Sequence, residues 1–380
     1  MFRDRREPGS GSVRALIAGV APIRARRSMA AAVCHDQIYF FGGVGGETGV
    51  ESILDVSNDL FAFVPSLGLW RRVDCPGPIP PPRRCAGFAR VGGAIELWGG
   101  SGVRSGSGGA LRYDFLNDHW RFDPVAERWS RLRPTDDHRM TPYLDIGEAG
   151  SPHPRYTPVF QPVQNRIILF GGYTEDRIGK RQLNDTWILR EGHWHEVRPH
   201  GAQDTANSRW PGIRYGCMSS ADDRFVYICG GASAGSDHID LWRFDVFAEA
   251  WEALSSDSGP PDAPAPRYCS VFTYYRGKLV LFGGRSRWHP KQNYSDLWIF
   301  DLSAARWKRV HDHCASETYD GSGTRPSYHA KSAVAVHDDA LYMFGGEGRR
   351  GHVSDFWRLE LPTLQWELLQ VARDDDPVLW

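Results

Sequence analysis

The chain has 380 residues and a formal net charge of −1, longer than one simple domain needs and without the basic excess of a general nucleic-acid or anionic-membrane binder. Apolar residues make up 41%, with 41 Gly, 25 Pro and 15 Trp, a mixture that suits many short strands joined by tight turns. No apolar run approaches the length needed to cross a bilayer.

Residues 1–12, MFRDRREPGSGS, are polar and lack a hydrophobic signal core. They read as a disordered tail ahead of a single domain spanning 13–380, in a cytoplasmic protein. The segment 13–24, VRALIAGVAPIR, reads as an extra strand, which either pairs on an outer edge or competes with the last strand of the chain. Then comes IYFFGG at 38–43, an apolar strand stopped by two glycines. Its relatives are IELWGG, IILFGG, VYICGG, LVLFGG and LYMFGG, with glycine pairs starting at 42, 99, 171, 230, 283 and 345. The spacing of 53 to 72 residues is that of a repeat array.

Other markers keep step. Downstream of each pair stands Asp with an aromatic two residues later: Asp59/Phe61, Asp118/Trp120, Asp185/Trp187, Asp240/Trp242, Asp296/Trp298 and Asp355/Trp357. A second aromatic follows: Trp70, Trp129, Trp194, Trp251, Trp307 and Trp366. Upstream, 15 or 16 residues before the first Gly, come Arg27, Arg84, Arg155, Arg214 and Arg267, with His329 in the sixth place. Each unit therefore reads as four strands: A after the Arg, B ending in Gly-Gly, C with Asp-x-Trp, and D with the second Trp. The repeats span about 22–75, 80–134, 152–199, 210–256, 264–311 and 325–371. No sustained 3.6-residue apolar period predicts a helix. The seven scattered cysteines form no C-x-x-C pair and read as reduced thiols.

This combination of in-phase Gly-Gly, Asp-x-aromatic and spaced Trp resembles the kelch repeat family over residues 22–371. The resemblance implies an all-β fold, a six-bladed β-propeller whose blades are four-stranded antiparallel sheets. Physics agrees, because a lone sheet with two apolar faces hides both only against neighbouring blades. The glycines are expected to serve a tight turn near the channel, the Trp residues to pack between blades, and the Asp to accept turn amides.

Antiparallel topology places the start of A, the B–C loop and the D–A loop on one face, where propeller sites usually lie. The expected site is there: Arg84, Arg155, Tyr156, Arg214, Tyr215, Arg267, Tyr268, Arg285, Tyr328 and His329. Guanidinium groups and phenols suit a carboxylate, a phosphate or an acidic peptide. The competing reading has each Arg bridging backbone carbonyls of a neighbouring blade. B–C loops add Tyr173, Glu175, Asp176, Arg177, Arg287, Trp288, His289, Glu347, Arg349, Arg350 and His352, and long insertions at 135–154 and 310–329 could set specificity.

No cofactor is expected, although His311 and His313, followed by Cys314, Glu317 and Asp320, are the residues a metal ion would use. Residues 231–235, GASAG, match the hydrolase pattern G-x-S-x-G, but they follow Gly-Gly and precede a strand rather than a helix, so the match reads as fortuitous. Among kelch enzymes, the iron-binding E-x-x-x-D-x-x-x-H of nitrile-specifier proteins finds only Glu51, Asp55 and then Asp59, which is the repeat Asp. The expectation is a stand-alone, monomeric kelch propeller that binds a protein or anionic small molecule at the channel mouth, with no nucleic acid or membrane partner. The alternative is a lyase or isomerase, metal-dependent or not, using the same mouth.

Overall fold

Six antiparallel sheets follow one another along the chain in a computed structural model that describes residues 17–18, 23–45, 55–105, 111–133, 150–176, 179–201, 210–257, 263–289, 292–313, 324–349 and 351–370. The expected tail 1–12, most of the two insertions, Glu51, Arg177, Cys314, Glu317, Asp320 and Arg350 lie outside the described residues. Together the sheets form a six-bladed propeller. Blade 3 is typical: A is Val159–Val163, B Arg166–Asp176, C Gly179–Arg190 and D His193–Arg198, in the order A-B-C-D. No helix among the described residues is long and apolar enough to cross a membrane.

Why the B strands are continuously apolar is visible in blade 3. Ile167 and Leu169 enter one core cluster with Ala89 and Trp98 of blade 2, whereas Ile168 and Phe170 enter another with Val226 and Ile228 of blade 4. Successive side chains point to opposite faces, and here both faces are interiors. The repeat aromatics fill the seams as expected: Trp187 and Trp194 pack toward blade 2, and Trp298 and Trp307 toward blade 4. Phe61 and Trp70 of blade 1 meet Tyr342 and Phe344 of blade 6, which closes the ring. Each blade supplies its own four strands, and Ile17–Ala18 adds a fifth on the outer edge of blade 1 beside Leu69–Arg72. Of the two roles open to that segment, it takes the outer edge.

The glycine pairs lie where adjacent blades touch through their backbones. At the closure, Gly345 has φ of +60°, and a Cβ there would sit 2.6 Å from the carbonyl oxygen of Arg26 in blade 1. Gly230 is alike, 2.6 Å from the Arg267 oxygen. The ladder slips by one residue at the pair, as between Phe344 and Gly346, which bends the chain toward its neighbour. We expect Gly345→Ala to lower stability by about 1–3 kcal/mol, from left-handed backbone strain plus the clash. An unchanged denaturation midpoint would show that the blades do not meet there.

A second girdle surrounds the channel. Ser28, Cys85, Thr157, Cys269 and Lys331 all adopt positive φ, between 51° and 59°, one per blade, with Gly216 in the equivalent place. Ser28 N–H donates to the Lys331 carbonyl, Lys331 to Cys269, Cys269 to Gly216, Thr157 to Cys85 and Cys85 to Ser28, all within 2.8–3.1 Å. Side chains one residue earlier are thereby held in a common ring.

Candidate functional site

Arg155 is the natural starting point, because its side chain leaves the expected site. It is fully buried, with Nη1 donating to Asp185 Oδ1 at 2.5 Å and Nη2 to Oδ2 at 2.7 Å, while Nη1 also reaches the Gly171 carbonyl at 3.0 Å. Arg214 clasps Asp240 and Gly230 in the same way, and Arg267 clasps Asp296 and Gly283. His329 replaces the guanidinium and meets both oxygens of Asp355 at 3.0 and 3.1 Å. These four residues are corrected from mouth to blade interior. The physical reason is their partner: the repeat Asp, already accepting the indole N–H of the Trp two residues on (Trp187 at 2.8 Å), has its remaining lone pairs filled by the fork. The fork and the indole N–H, rather than the turn amides expected, are its donors among the described contacts.

The repeat Arg also joins blades, though not by the expected route. Arg155 N–H donates to Leu116 O, and Gly100 N–H to Arg155 O, so its main chain belongs to blade 2 while its side chain belongs to blade 3. Register is corrected too. The residues 16 before the first Gly are Arg26 and Arg83, and it is Arg83 that grips Asp118 at 2.6 and 2.7 Å. Arg27 and Arg84 stand one place later, equivalent to the tyrosines.

That later place is the mouth. Arg27, Arg84, Tyr156, Tyr215, Tyr268 and Ala330 precede the girdle residues and pair through their backbones with Val44, Ser101, Tyr173, Ala232, Arg285 and Glu347. Arg27, Arg84, Tyr156, Tyr215 and Tyr268 line a central cavity of about 780 Å³, joined by Lys331 in blade 6. One arc is aromatic: Phe115 stacks on Tyr156 at 5.4 Å between centroids, Tyr156 meets Tyr173 at 5.3 Å, Tyr173 meets Tyr215 at 5.4 Å and Tyr215 meets Tyr268 at 6.0 Å. Burial raises the phenol of Tyr215 to about 12, and those of Tyr156 and Tyr268 are raised for the same reason, so all stay neutral donors.

The other arc is cationic and is organised by Glu347. Its carboxylate receives Lys331 Nζ at 2.9 Å, Arg27 Nη1 at 3.3 Å and Arg285 Nη1. Burial would push the Glu347 carboxyl up, but these three cations outweigh it and hold it below the ordinary range. Lys331 is lowered, first by burial and then by Arg27. Arg27 Nε also reaches His352 Nε2 at 2.9 Å, and Arg84 lies over the Tyr113 ring at 4.1 Å. On the rim, Arg287 donates to the Tyr215 hydroxyl, and Asp237 of blade 4 clamps the loop by accepting Ser286 Oγ at 2.6 Å and Arg287 N–H at 2.9 Å. Trp288 follows, 46% exposed.

Of the other expected residues, Arg285 does belong to the mouth, whereas Tyr328 is buried beneath it with its hydroxyl unpartnered. His313 stays exposed, its ring stacked over Tyr294 and its Nε2 3.7 Å from Asp296, a carboxylate already held by Arg267 and Trp298. His311 ends strand D of blade 5, and no described partner completes a metal set with the pair. Among the described residues the group with metal-like spacing is His238, Asp240 and Asp257, of which Asp240 is committed to Arg214 and Trp242. Asp59 is taken by Ser57 and Arg72. The six described cysteines are free thiols. Sequence reasoning missed Lys331 and Asp237. Counting 14 residues back from each glycine pair, to the girdle position, would have found Lys331, two places after His329.

A model of the KLHDC2/KLHL20/DRC7 kelch-repeats domain matches residues 139–316 and 260–377. Kelch domain-containing protein 10 of Xenopus tropicalis is 22% identical over 259 residues, 68% of this chain and 56% of that protein. The same protein of Rattus norvegicus is 22% identical over 339 residues, 86% and 75% respectively. Acyl-CoA-binding domain-containing protein 4 of Arabidopsis thaliana is 25% identical over 221 residues, 57% of this chain and 30% of that protein. The chain thus spans little more than half of the Xenopus tropicalis relative.

Proposed function

Since this chain belongs to the kelch-repeat family, we propose that it binds an acidic segment of a partner protein at its channel mouth. The observation that carries this reading is the excess of cations there: Arg27, Arg285 and Lys331 converge on the carboxylate of Glu347, and Arg84 and Arg287 line the same cavity, against Asp237 on the rim and the exposed Glu175 beyond Tyr173. The aromatic arc of Tyr156, Tyr173 and Tyr215 supplies a flat apolar surface next to them. An extended peptide with alternating acidic and apolar residues fits both arcs, the carboxylates on the guanidinium forks and the apolar side chains on the phenol rings. Trp288 and Arg287, held by Asp237, suit the anchor role that such residues play in interfaces.

The test is fluorescence anisotropy with a labelled octapeptide alternating Glu and Phe. Affinity should fall with rising salt, and Arg285→Gln or Arg287→Gln should weaken it roughly tenfold or more, the worth of one charge-assisted hydrogen bond. Equal binding of a peptide with Lys in place of Glu, or unchanged affinity in both variants, would reject this reading.

A further inference from the structure

Residues 231–235, GASAG, have no place in the binding reading, yet the fold brings chemistry to them. Ser233 begins the B–C turn of blade 4, and its Oγ lies 3.0 Å from Nε2 of His238 on the returning strand Asp237–Asp245. His238 Nδ1 lies 2.8 Å from Asp257 Oδ2, two residues past the D strand Ala250–Ser255. The second oxygen of Asp257 accepts the N–H groups of Ile239 at 2.7 Å and Asp240 at 2.9 Å, which fixes the carboxylate in place. With Nδ1–H directed at that carboxylate, Nε2 presents its lone pair to the serine hydroxyl; the tautomer is assigned from this network.

We infer that Ser233, His238 and Asp257 form a Ser–His–Asp relay that hydrolyses a carboxylic ester bearing an anionic group. A triad is recognised by geometry and roles rather than by fold, and it recurs on unrelated folds in different chain orders. The missing helix after GASAG excludes a nucleophile elbow, but the hairpin and the neighbouring D strand deliver the same three groups. Burial would raise the Asp257 carboxyl, but His238 and the two amides bring it to about 2, so it is ionised at neutral pH. Access is open, since Ala234, Gly235 and Ser236 are exposed. The hydroxyl has one competing acceptor, the Ser236 carbonyl at 3.2 Å, with Ser236 Oγ at 3.5 Å.

In the reaction, Ser233 Oγ bonds to the ester carbonyl carbon as its proton passes to His238 Nε2. The tetrahedral oxyanion collapses, the bond to the leaving oxygen breaks, and that oxygen takes the proton from Nε2. Water then attacks the acyl-serine, giving one proton to His238; the carbon–Oγ bond breaks, Oγ is reprotonated and the carboxylic acid departs. Asp257 is a positioning residue that orients the imidazole and stabilises its cation. The anionic preference comes from Arg287, which grips Tyr215, the backbone partner of Ala232 beside Ser233. That preference rests on the mouth binding anions; the relay does not.

The full chain should be treated with a fluorophosphonate probe and mapped by mass spectrometry, and assayed with 4-nitrophenyl acetate and the 4-nitrophenyl monoester of succinate. The probe should attach to Ser233. Ser233→Ala should lose the label and at least 100-fold in hydrolysis with an unchanged melt, because the side chain lies at a surface turn. Asp257→Asn should lose on the order of 100-fold or more and alter the pH profile of what remains, which a merely structural residue would not do. Absence of label on Ser233, hydrolysis that survives Ser233→Ala, or hydrolysis removed by EDTA would each overturn the relay. A relay that works but prefers acetate over the succinate monoester at low salt would overturn the substrate class alone.

Discussion

Replacing Arg155 by Leu should lower stability by about 3–5 kcal/mol, because it leaves the carboxylate of Asp185 charged and unpaired in the interior. Both side chains are completely buried, and the pair is made by two parallel hydrogen bonds. Lys in the same place keeps a charge but not the fork, nor the additional bonds to Gly171 and His153 carbonyls, so Arg155→Lys should fall between the two. The sign of the pH dependence separates this from a mere loss of packing. Burial would raise Asp185, but Arg155 and the Trp187 N–H hold it below its ordinary 3.8. A depressed carboxyl contributes stability that is present above the ordinary value and is lost as pH falls through the lower folded value. Without Arg155, burial dominates and raises that carboxyl. The variant's deficit should then be largest at neutral pH and shrink as pH falls toward 5. Denaturant titrations at pH 7 and pH 5 decide it, and an equal deficit at both would mean that the ion pair is not the source.

Trp298→Ala in an otherwise intact chain should cost about 3–5 kcal/mol, the range for a buried aromatic truncated to Ala. Trp298 is 5% exposed and packs with Tyr227 and Cys229 of blade 4, and its indole donates to Asp296 at 2.7 Å. The truncation therefore opens a cavity between blades and removes one donor from the carboxylate that Arg267 grips. Trp288→Ala, ten residues earlier on the rim, should change stability by less than about 1 kcal/mol, as exposed substitutions do, while weakening peptide binding. Comparable destabilisation at the two positions would show that the rim loop is part of the packed structure.

What the sequence determined by itself is the repeating architecture. Gly-Gly, Asp-x-Trp (Asp-x-Phe in the first copy) and the second Trp recur in the same order in every copy, and the short steps within Gly-Gly and Asp-x-Trp are local consequences of turn geometry and strand pleat. Six copies in phase therefore carry the blades, the seams filled by Trp187 or Trp298, and the face on which Tyr156, Tyr215 and Tyr268 emerge. The sequence could not decide which arginine of Arg26-Arg27 or Arg83-Arg84 turns inward, because a shift of one residue along a strand sends the side chain to the opposite side. Only the tertiary structure decided that Arg155, Arg214 and Arg267 are scaffold: their shared spacing looks the same for a buried clasp and for an open ring of cations. The Glu347 cluster gathers Arg27, Arg285 and Lys331 from blades 1, 5 and 6, contacts that exist only once the ring closes. Asp257 likewise reaches His238 from just past the D strand of the blade, 19 residues away. Spacing along a chain encodes elements; charges that meet across blades are set by how those elements pack.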